Sequence, residues 1–278
     1  MLTMPGILWL ASYPKSGNTW MRAFLANLIL DAREPLPLKR IGEICPSEPA
    51  ETWFRPLSER PVDQLSAKEI AGLRSKAQER VVSLNKNVVP MKTHSYFGED
   101  YGHPIFSMSA TFGAIYIIRD PRDVVLSAAD HFGKTLDEMI VMMANPAGLG
   151  AAMPGTIVHE FLSSWSNHVE SWTKWNHPGI YTVRYEDLLA DPLDQFGRVA
   201  RRFGISNDQT CIERAVEHAA FKQLKKLESD EGFIERSLHS EQFFRSGRAG
   251  GWREKLSAQQ ARQIELDHGV QMKRFGYL

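Results

Sequence analysis

Residues 7–20 read ILWLASYPKSGNTW. The apolar run Ile7 to Ala11 is bounded by Gly6 and by Tyr13-Pro14, which predicts a short buried strand. From Thr19 to Leu30, Trp20, Phe24, Leu25 and Leu28 recur at helical spacing, so a helix follows. Between the two lies a turn of Lys15, Ser16, Gly17 and Asn18. Gly17 lets a ligand approach the backbone closely. The helix start offers N–H groups and a partial positive charge. Lys15 adds a full charge, and Ser16, Asn18 and Thr19 add donors. The chemistry is that of an anion site, although a helix cap beside a solvated lysine would use the same residues. The turn is not GxxxxGK[ST], because Lys15 precedes the glycine and the leading glycine is missing.

Outward from this unit, apolar runs recur as predicted strands. They are Val88 to Met91, ending in Lys92-Thr93-His94; Ala114 to Ile118, ending in Arg119; and Ile180 to Val183, leading into Arg184-Tyr185. Helices are predicted at Ser66 to Val82 (opening with a capping box), from Asp123, at Phe161 to Trp175, and at about 193–203, 208–218 and 257–270. Continuous apolar strands alternating with helices predict a central, mostly parallel sheet with helices on both faces, a three-layer α/β fold. In such a sheet a ligand sits at the carboxyl ends of the strands. Lys15-Ser16, Lys92-Thr93-His94 and Arg119 all lie there. Residues 31–65 are Pro-rich and aperiodic and read as a surface excursion with short helical turns. Residues 133–158 are rich in Met, Gly, Ala and Pro, and read as a mobile loop rather than a core element. Residues 228–251 read as a flexible loop.

The 278 residues fit one domain spanning 1–278. A 43% hydrophobic composition supports a packed core. Thirty-three basic against 33 acidic residues give no global field for a nucleic-acid polymer, so any polyanion site must be local. Cys45 and Cys211 have no metal or redox spacing, and neither metal nor disulfide is expected. No run approaches the ~20 apolar residues of a membrane span, and no leader pattern opens the chain. A cytoplasmic protein without a membrane partner is expected.

The string Tyr13-Pro14-Lys15-Ser16-Gly17-Asn18-Thr19-Trp20 resembles the N-terminal signature of the sulfotransferases that use PAPS (3′-phosphoadenosine 5′-phosphosulfate), YPKSGTTW in many members. Lys92-Thr93-His94 resembles the family's catalytic KTH. Arg119-Asp120-Pro121-Arg122-Asp123-Val124-Val125-Leu126-Ser127 resembles its second signature, and 245–252 (RSGRAGGW) its C-terminal RKGxxGDW. The four motifs keep the family's order across nearly the whole chain. The resemblance implies a P-loop-type fold and transfer of a sulfuryl group from PAPS to a small-molecule hydroxyl or amine, with PAP as product. It implies that Lys15 neutralises the leaving phosphate oxygen, and that Ser16, Gly17, Asn18, Thr19 and Trp20 cradle the 5′-phosphate and flank the adenine. Arg119, Ser127, Arg245, Ser246 and Gly247 would hold the 3′-phosphate, for which a guanidinium fork is suited. Tyr185 and Phe221 would contact the adenine. His94 would be the general base, with Lys92 assisting at the sulfuryl group; His131 is a weaker second candidate.

Three positions depart from the pattern. Ala219-Ala220 stand where the family has Thr-Ser before Phe221. Ser246 replaces a lysine whose charge Arg248 could supply, and Gly251 replaces an aspartate. Structural alternatives stand beside these roles. Arg119 could pair with Asp120 or Asp123, His94 could be a packing histidine, and Phe221 could be core. Trp165, Trp172 and Trp175 are better explained as core than as an acceptor platform. The acceptor pocket is expected from 31–65, 133–158 and 228–247. The competing functions are an ATP/Mg-dependent P-loop kinase and a non-catalytic nucleotide-binding protein. The dimer string KxxxTVxxxE has no match, which leaves the oligomeric state open.

Overall fold

The structure, a computed structural model, describes residues 5–150, 152–174 and 178–278. Strand β1 (Gly6–Ser12) is buried along its whole length. It pairs in parallel with β2 (Val88–Thr93) on one side and with β5 (Thr111–Ile118) on the other. Strand β8 (Ile180–Arg184) extends the sheet beyond β5, giving the order β2-β1-β5-β8, all parallel. Two small antiparallel pairs lie outside it, β3 (Glu99–Asp100) with β4 (His103–Pro104) and β6 (Leu149–Gly150) with β7 (Glu160–Phe161).

Alternation along β1 divides the core. Ile7, Trp9 and Ala11 face one layer with Tyr116, Trp165 and Trp172. Leu8 and Leu10 face the other with Phe24, Ile115, Ile117 and Phe196. The second layer is built on α1 (Asn18–Ile29) and includes α2 (Leu38–Ile44). Helix α3 (Ala67–Ser83) opens on the expected Ser66/Glu69 capping box. Helix α4 (Pro121–Phe132) starts where Asp120 accepts from the Arg122 N–H and Pro121 takes the first position. Then come α5 (Leu136–Ala144), α6 (Trp165–Thr173), α7 (Tyr185–Ala190), α8 (Pro192–Arg202), α9 (Gln209–His218), α10 (Phe221–Glu231), α11 (Trp252–Lys255) and α12 (Ala258–Arg274).

Several sequence expectations change. Residues 31–65 are not merely a surface excursion. Leu38, Ile41, Cys45 and Phe54 are buried, and residues 46–48 bond along β2, with Lys92 N–H donating to the Pro46 carbonyl at 2.8 Å. The stretch covers an otherwise open sheet edge, which periodicity cannot reveal. Within 133–158, Thr135 and Glu138 form a capping box that starts α5, and Met139, Ile140 and Met143 enter the core. That stretch therefore does hold a core element. Within 228–251, α10 continues to Glu231 and Phe244 is buried. The predicted helix from Phe161 begins only at Trp165. Ser163 takes a φ of 58° and Ser164 caps the helix, while Phe161 belongs to β7. Trp165 and Trp172 are core residues; Trp175 lies outside the described residues.

Candidate active site

The order β2-β1-β5 makes the carboxyl end of β1 a topological switch point. The chain leaves β1 for a neighbour on one side and later returns to the other, which opens a crevice there. A cavity of about 910 Å³ occupies that end. All the candidate site residues line it except Ser16, whose side chain is buried behind the turn.

The turn after β1 is held in a shape most residues avoid. Lys15 sits at φ 67° and Gly17 at φ 103°. A β-carbon on Gly17 would lie 2.6 Å from the Tyr185 ring, so only glycine fits. No side chain caps α1, and its first turn has no acidic residue, which leaves its positive end to an external anion. Asn18 Nδ2 donates to the Leu10 carbonyl at 2.7 Å and turns its Oδ1 to no partner. Ser16 Oγ, Trp20 Nε1 and Arg119 Nε are likewise buried without a partner. Buried polar atoms are rarely left so, and the three on cavity-lining residues, Asn18, Trp20 and Arg119, mark a place for a polar ligand.

Arg119 stacks on the Tyr185 ring, its guanidinium carbon 4.4 Å from the centroid. Its Nη1 and Nη2 donate to the carbonyls of Lys15 and Arg248, each at 3.1 Å. Neither Asp120 nor Asp123 pairs with it. Asp120 is taken by Arg122 at 2.8 Å. Asp123 accepts from the Gly250 and Trp252 N–H groups at 2.6 and 3.0 Å. Arg119 thus keeps its charge for a ligand while its plane is fixed. Arg245 bonds Asp130 at 3.0 Å, and Phe221 packs under Gly247, whose added β-carbon would meet the ring at 2.5 Å. Arg248, whose charge could stand in for the lysine missing at Ser246, lines the same cavity, with its exposed guanidinium 2.7 Å from Glu254.

On the opposite wall, His94 Nδ1 lies 2.8 Å from the Ser12 carbonyl. A carbonyl only accepts, so Nδ1 carries the proton and Nε2 keeps its lone pair. Burial first, then the charge of Lys92, pushes the imidazole well below its usual range, so it is neutral at pH 7. Lys15 Nζ lies 4.0 Å over the Phe243 ring and 3.4 Å from His131 Nδ1. Burial and then Lys92 push it down to about 8, still mostly charged at neutrality. His131 is lowered to about 4 by burial, then by Lys15 and Lys92.

Sequence reasoning missed Glu235, Glu160 and His168, and gave Asp123 only as a possible partner of Arg119. Glu235 lies 3.8 Å from Lys92 and 2.7 Å from Arg22. Burial pushes its carboxyl up, but Lys92 and Arg22 outweigh that and hold it near 2. Nothing in its loop's pattern signals this. His168 alone left a trace: it shares the apolar stripe Trp165, Val169, Trp172, where a polar residue needs a partner.

The model of the family described as "Sulfotransferase domain" matches residues 5–276. The chain belongs to the sulfotransferase family. It is a PAPS-dependent sulfotransferase. Among similar curated proteins, cytosolic sulfotransferase 16 of Arabidopsis thaliana is 24% identical over 91% of this chain and 72% of its own. The flavonol 3-sulfotransferase of Flaveria bidentis is 23% identical over 94% and 80%. Mouse sulfotransferase SULT7A1 complexed with PAP matches 96% of this chain and 84% of its own, at 18% identity and a TM-score of 0.62. Retinol dehydratase, in complex with androsterone and inactive cofactor PAP, matches 98% and 82% at 21% identity and a TM-score of 0.64. These likenesses confirm the α/β sulfotransferase fold. Among the described residues of this sulfotransferase, no helix is long and apolar enough to cross a membrane.

Proposed function

We propose that this sulfotransferase sulfates a hydroxyl of an apolar small molecule, with His94 as general base. The observation that carries the reading is the imidazole held by Ser12 with Nε2 free, beside a cradle of unpartnered polar atoms. The cradle fits the donor. Gly17 and the uncapped start of α1 suit the 5′-phosphate, and Arg119 with Ser127, Arg245, Ser246 and Gly247 suits the 3′-phosphate. Trp20, Tyr185 and Phe221 offer aromatic faces to the adenine. For Ser16 the main-chain N–H is the suitable group, since its hydroxyl does not line the cavity.

PAPS supplies an activated sulfuryl group, and PAP is the leaving product. His94 Nε2 takes the proton of the acceptor hydroxyl as its oxygen becomes a nucleophile. Lys15 and Lys92 place positive charge where negative charge develops on the leaving and equatorial oxygens. Arg22 and Lys92 share Glu235, which keeps the Lys92 ammonium at the cavity wall.

The acceptor wall draws on the three segments read as pocket-forming, through Pro49, then Met153 and Ile157, then Ile234 and Phe243. Its apolar character suits a phenol or a hydroxylated natural product. The flavonol of one relative's name and the androsterone of the retinol dehydratase complex belong to that class. The name "cytosolic" carried by relatives supports a cytoplasmic location.

Calorimetric titration with PAP, ADP and ATP–Mg²⁺, on wild type and Arg119→Ala, tests the donor half. PAP is expected to bind most tightly. The substitution should weaken it by about ten- to a hundredfold, the loss of charged hydrogen bonds worth ~1.5–3 kcal/mol, and leave ADP unchanged. Equal or tighter binding of ATP–Mg²⁺ would favour the kinase reading instead.

A further inference from the structure

His94 stands just past the carboxyl end of β2, where a parallel strand has lost its ladder partners. Its peptide groups are nevertheless both engaged, and by side chains. The His94 N–H donates to Glu160 Oε1 at 2.8 Å, and the His94 carbonyl accepts from His168 Nε2 at 3.1 Å. The two partners come from distant elements, Glu160 from β7 and His168 from α6. Since a carbonyl accepts only, His168 Nε2 carries the ring proton and Nδ1 bears the lone pair. Tyr116 on β5 donates its hydroxyl to that Nδ1 at 2.9 Å. Tyr116 and His168 are fully buried, and Glu160 nearly so. Burying a carboxylate and a neutral imidazole is costly unless each bond is used. Here the bonds converge on one residue.

We propose that Glu160, His168 and Tyr116 are positioning residues that fix the backbone of His94 and so aim its Nε2 at the acceptor hydroxyl. With N–H and C=O both tied, φ and ψ of His94 have little freedom. Only the two side-chain torsions remain, and the Ser12 carbonyl fixes the ring and its tautomer. The charged and titratable groups around the ring are Lys92 on β2, Lys15 after β1, Glu160 on β7 and His168 on α6. His168 is pushed down to about 3 by burial, so it stays a neutral donor at every working pH. The kinetic part of the proposal rests on His94 acting as base; the structural part does not.

The test uses the full chain with ¹⁵N-labelled histidine, observed by NMR, beside turnover and PAP titration. Variants are Glu160→Ala and His168→Leu, which remove the bonds, Glu160→Gln and His168→Gln, which keep an acceptor or a donor in place, and Tyr116→Phe. In wild type the His94 ring is expected as the Nδ1–H tautomer, unprotonated at pH 6.5. Glu160→Ala and His168→Leu should mix the tautomers and lower kcat by about 10- to 100-fold, the scale for a misplaced catalytic group. PAP affinity and the KM for PAPS should hold. The glutamine variants should restore most of the lost kcat, and Tyr116→Phe should show a smaller effect of the same kind. Unchanged His94 signals in Glu160→Ala and His168→Leu would overturn the proposal. So would glutamine variants no better than these two, or a loss of kcat matched by equal losses of PAP affinity and thermal stability. If no acceptor is turned over by wild type, the base reading fails, and the tautomer signals still decide whether the clamp exists.

Discussion

The cavity wall that carries Lys15, Gly17 and Arg119 grows straight out of the strand ends, whereas the wall that carries Met153, Ile157 and Phe243 is made of connecting segments. The first is anchored by β1 and β5, the two central strands, and its geometry is over-determined. Gly17 has room for no β-carbon, and Arg119 is stacked on Tyr185 and bonded to two carbonyls. The second is apolar and takes its shape from short pairings such as β6 with β7 and from turns near 153–157. A donor common to a family calls for the first kind of wall, and an acceptor that differs between members calls for the second. His94 stands between them, tied to Ser12 on the donor side and to Glu160 on the acceptor side.

Replacing that intermediary should give the largest effect. His94→Ala is expected to lower kcat by about 10²- to 10⁴-fold while PAP affinity, read by calorimetry, stays within about twofold. A parallel loss of PAP affinity would mean that the two walls are not separable at His94.

Gly17→Ala should strike the donor wall alone. Left-handed backbone costs a non-glycine residue about 1–2 kcal/mol, and the Tyr185 ring must also move. A lower melting temperature together with at least tenfold weaker PAP binding is expected. Unchanged binding would show that the cradle is softer than its geometry implies.

A pH series separates the walls without mutation. Lys15 sits near pKa 8 in the free protein, lowered by burial and then by Lys92, and an anion prefers its charged form. PAP affinity should therefore be steady below about pH 7 and fall as pH rises through 8. Binding of an uncharged acceptor should not follow it. His94, held neutral by burial and by Lys92, should leave kcat without an acid limb near 6.5 and place any such limb lower. A limb at 6.5 would show an exposed imidazole.

The smallest effects belong to the acceptor wall. Met153→Ala and Ile157→Ala should change acceptor KM by about two- to tenfold, as removed apolar contacts do, and leave PAP titrations untouched. A change in PAP affinity from either would erase the distinction between the walls.

The same division governs what is legible in the sequence. The strand, turn and helix of 6–29, the sheet and the Arg119 helix follow local rules, apolar runs broken by turn residues, and the residue pattern alone places their motifs at the strand ends. The core part of 133–158 is legible in the Thr135/Glu138 capping box and in the spacing of Met139, Ile140 and Met143, but the Gly, Ala and Pro content of the whole stretch reads as a loop. The covering of β2 by 46–48 is made of main-chain bonds, which no side-chain pattern records. Glu235 and Glu160 reach the site across more than sixty residues of intervening chain, and an acid in a loop or in a two-residue strand carries no signal of its own. Their partners, Lys92 and His94, are visible in the motif they share; the pairings are not.

Asp123 fastens the C-terminal motif by accepting from the N–H groups of Gly250 and Trp252, so it grips peptide groups and ignores side chains. The spelling of the segment is thereby partly uncoupled from its position, Gly247 and Gly250 excepted, whose φ values of 57° and 77° favour glycine. Gly251 can stand where relatives of this family carry an aspartate, and Ser246 where they carry a lysine, while the segment stays docked beside Arg119. At both points what Asp123 holds is a group present in every amino acid but proline.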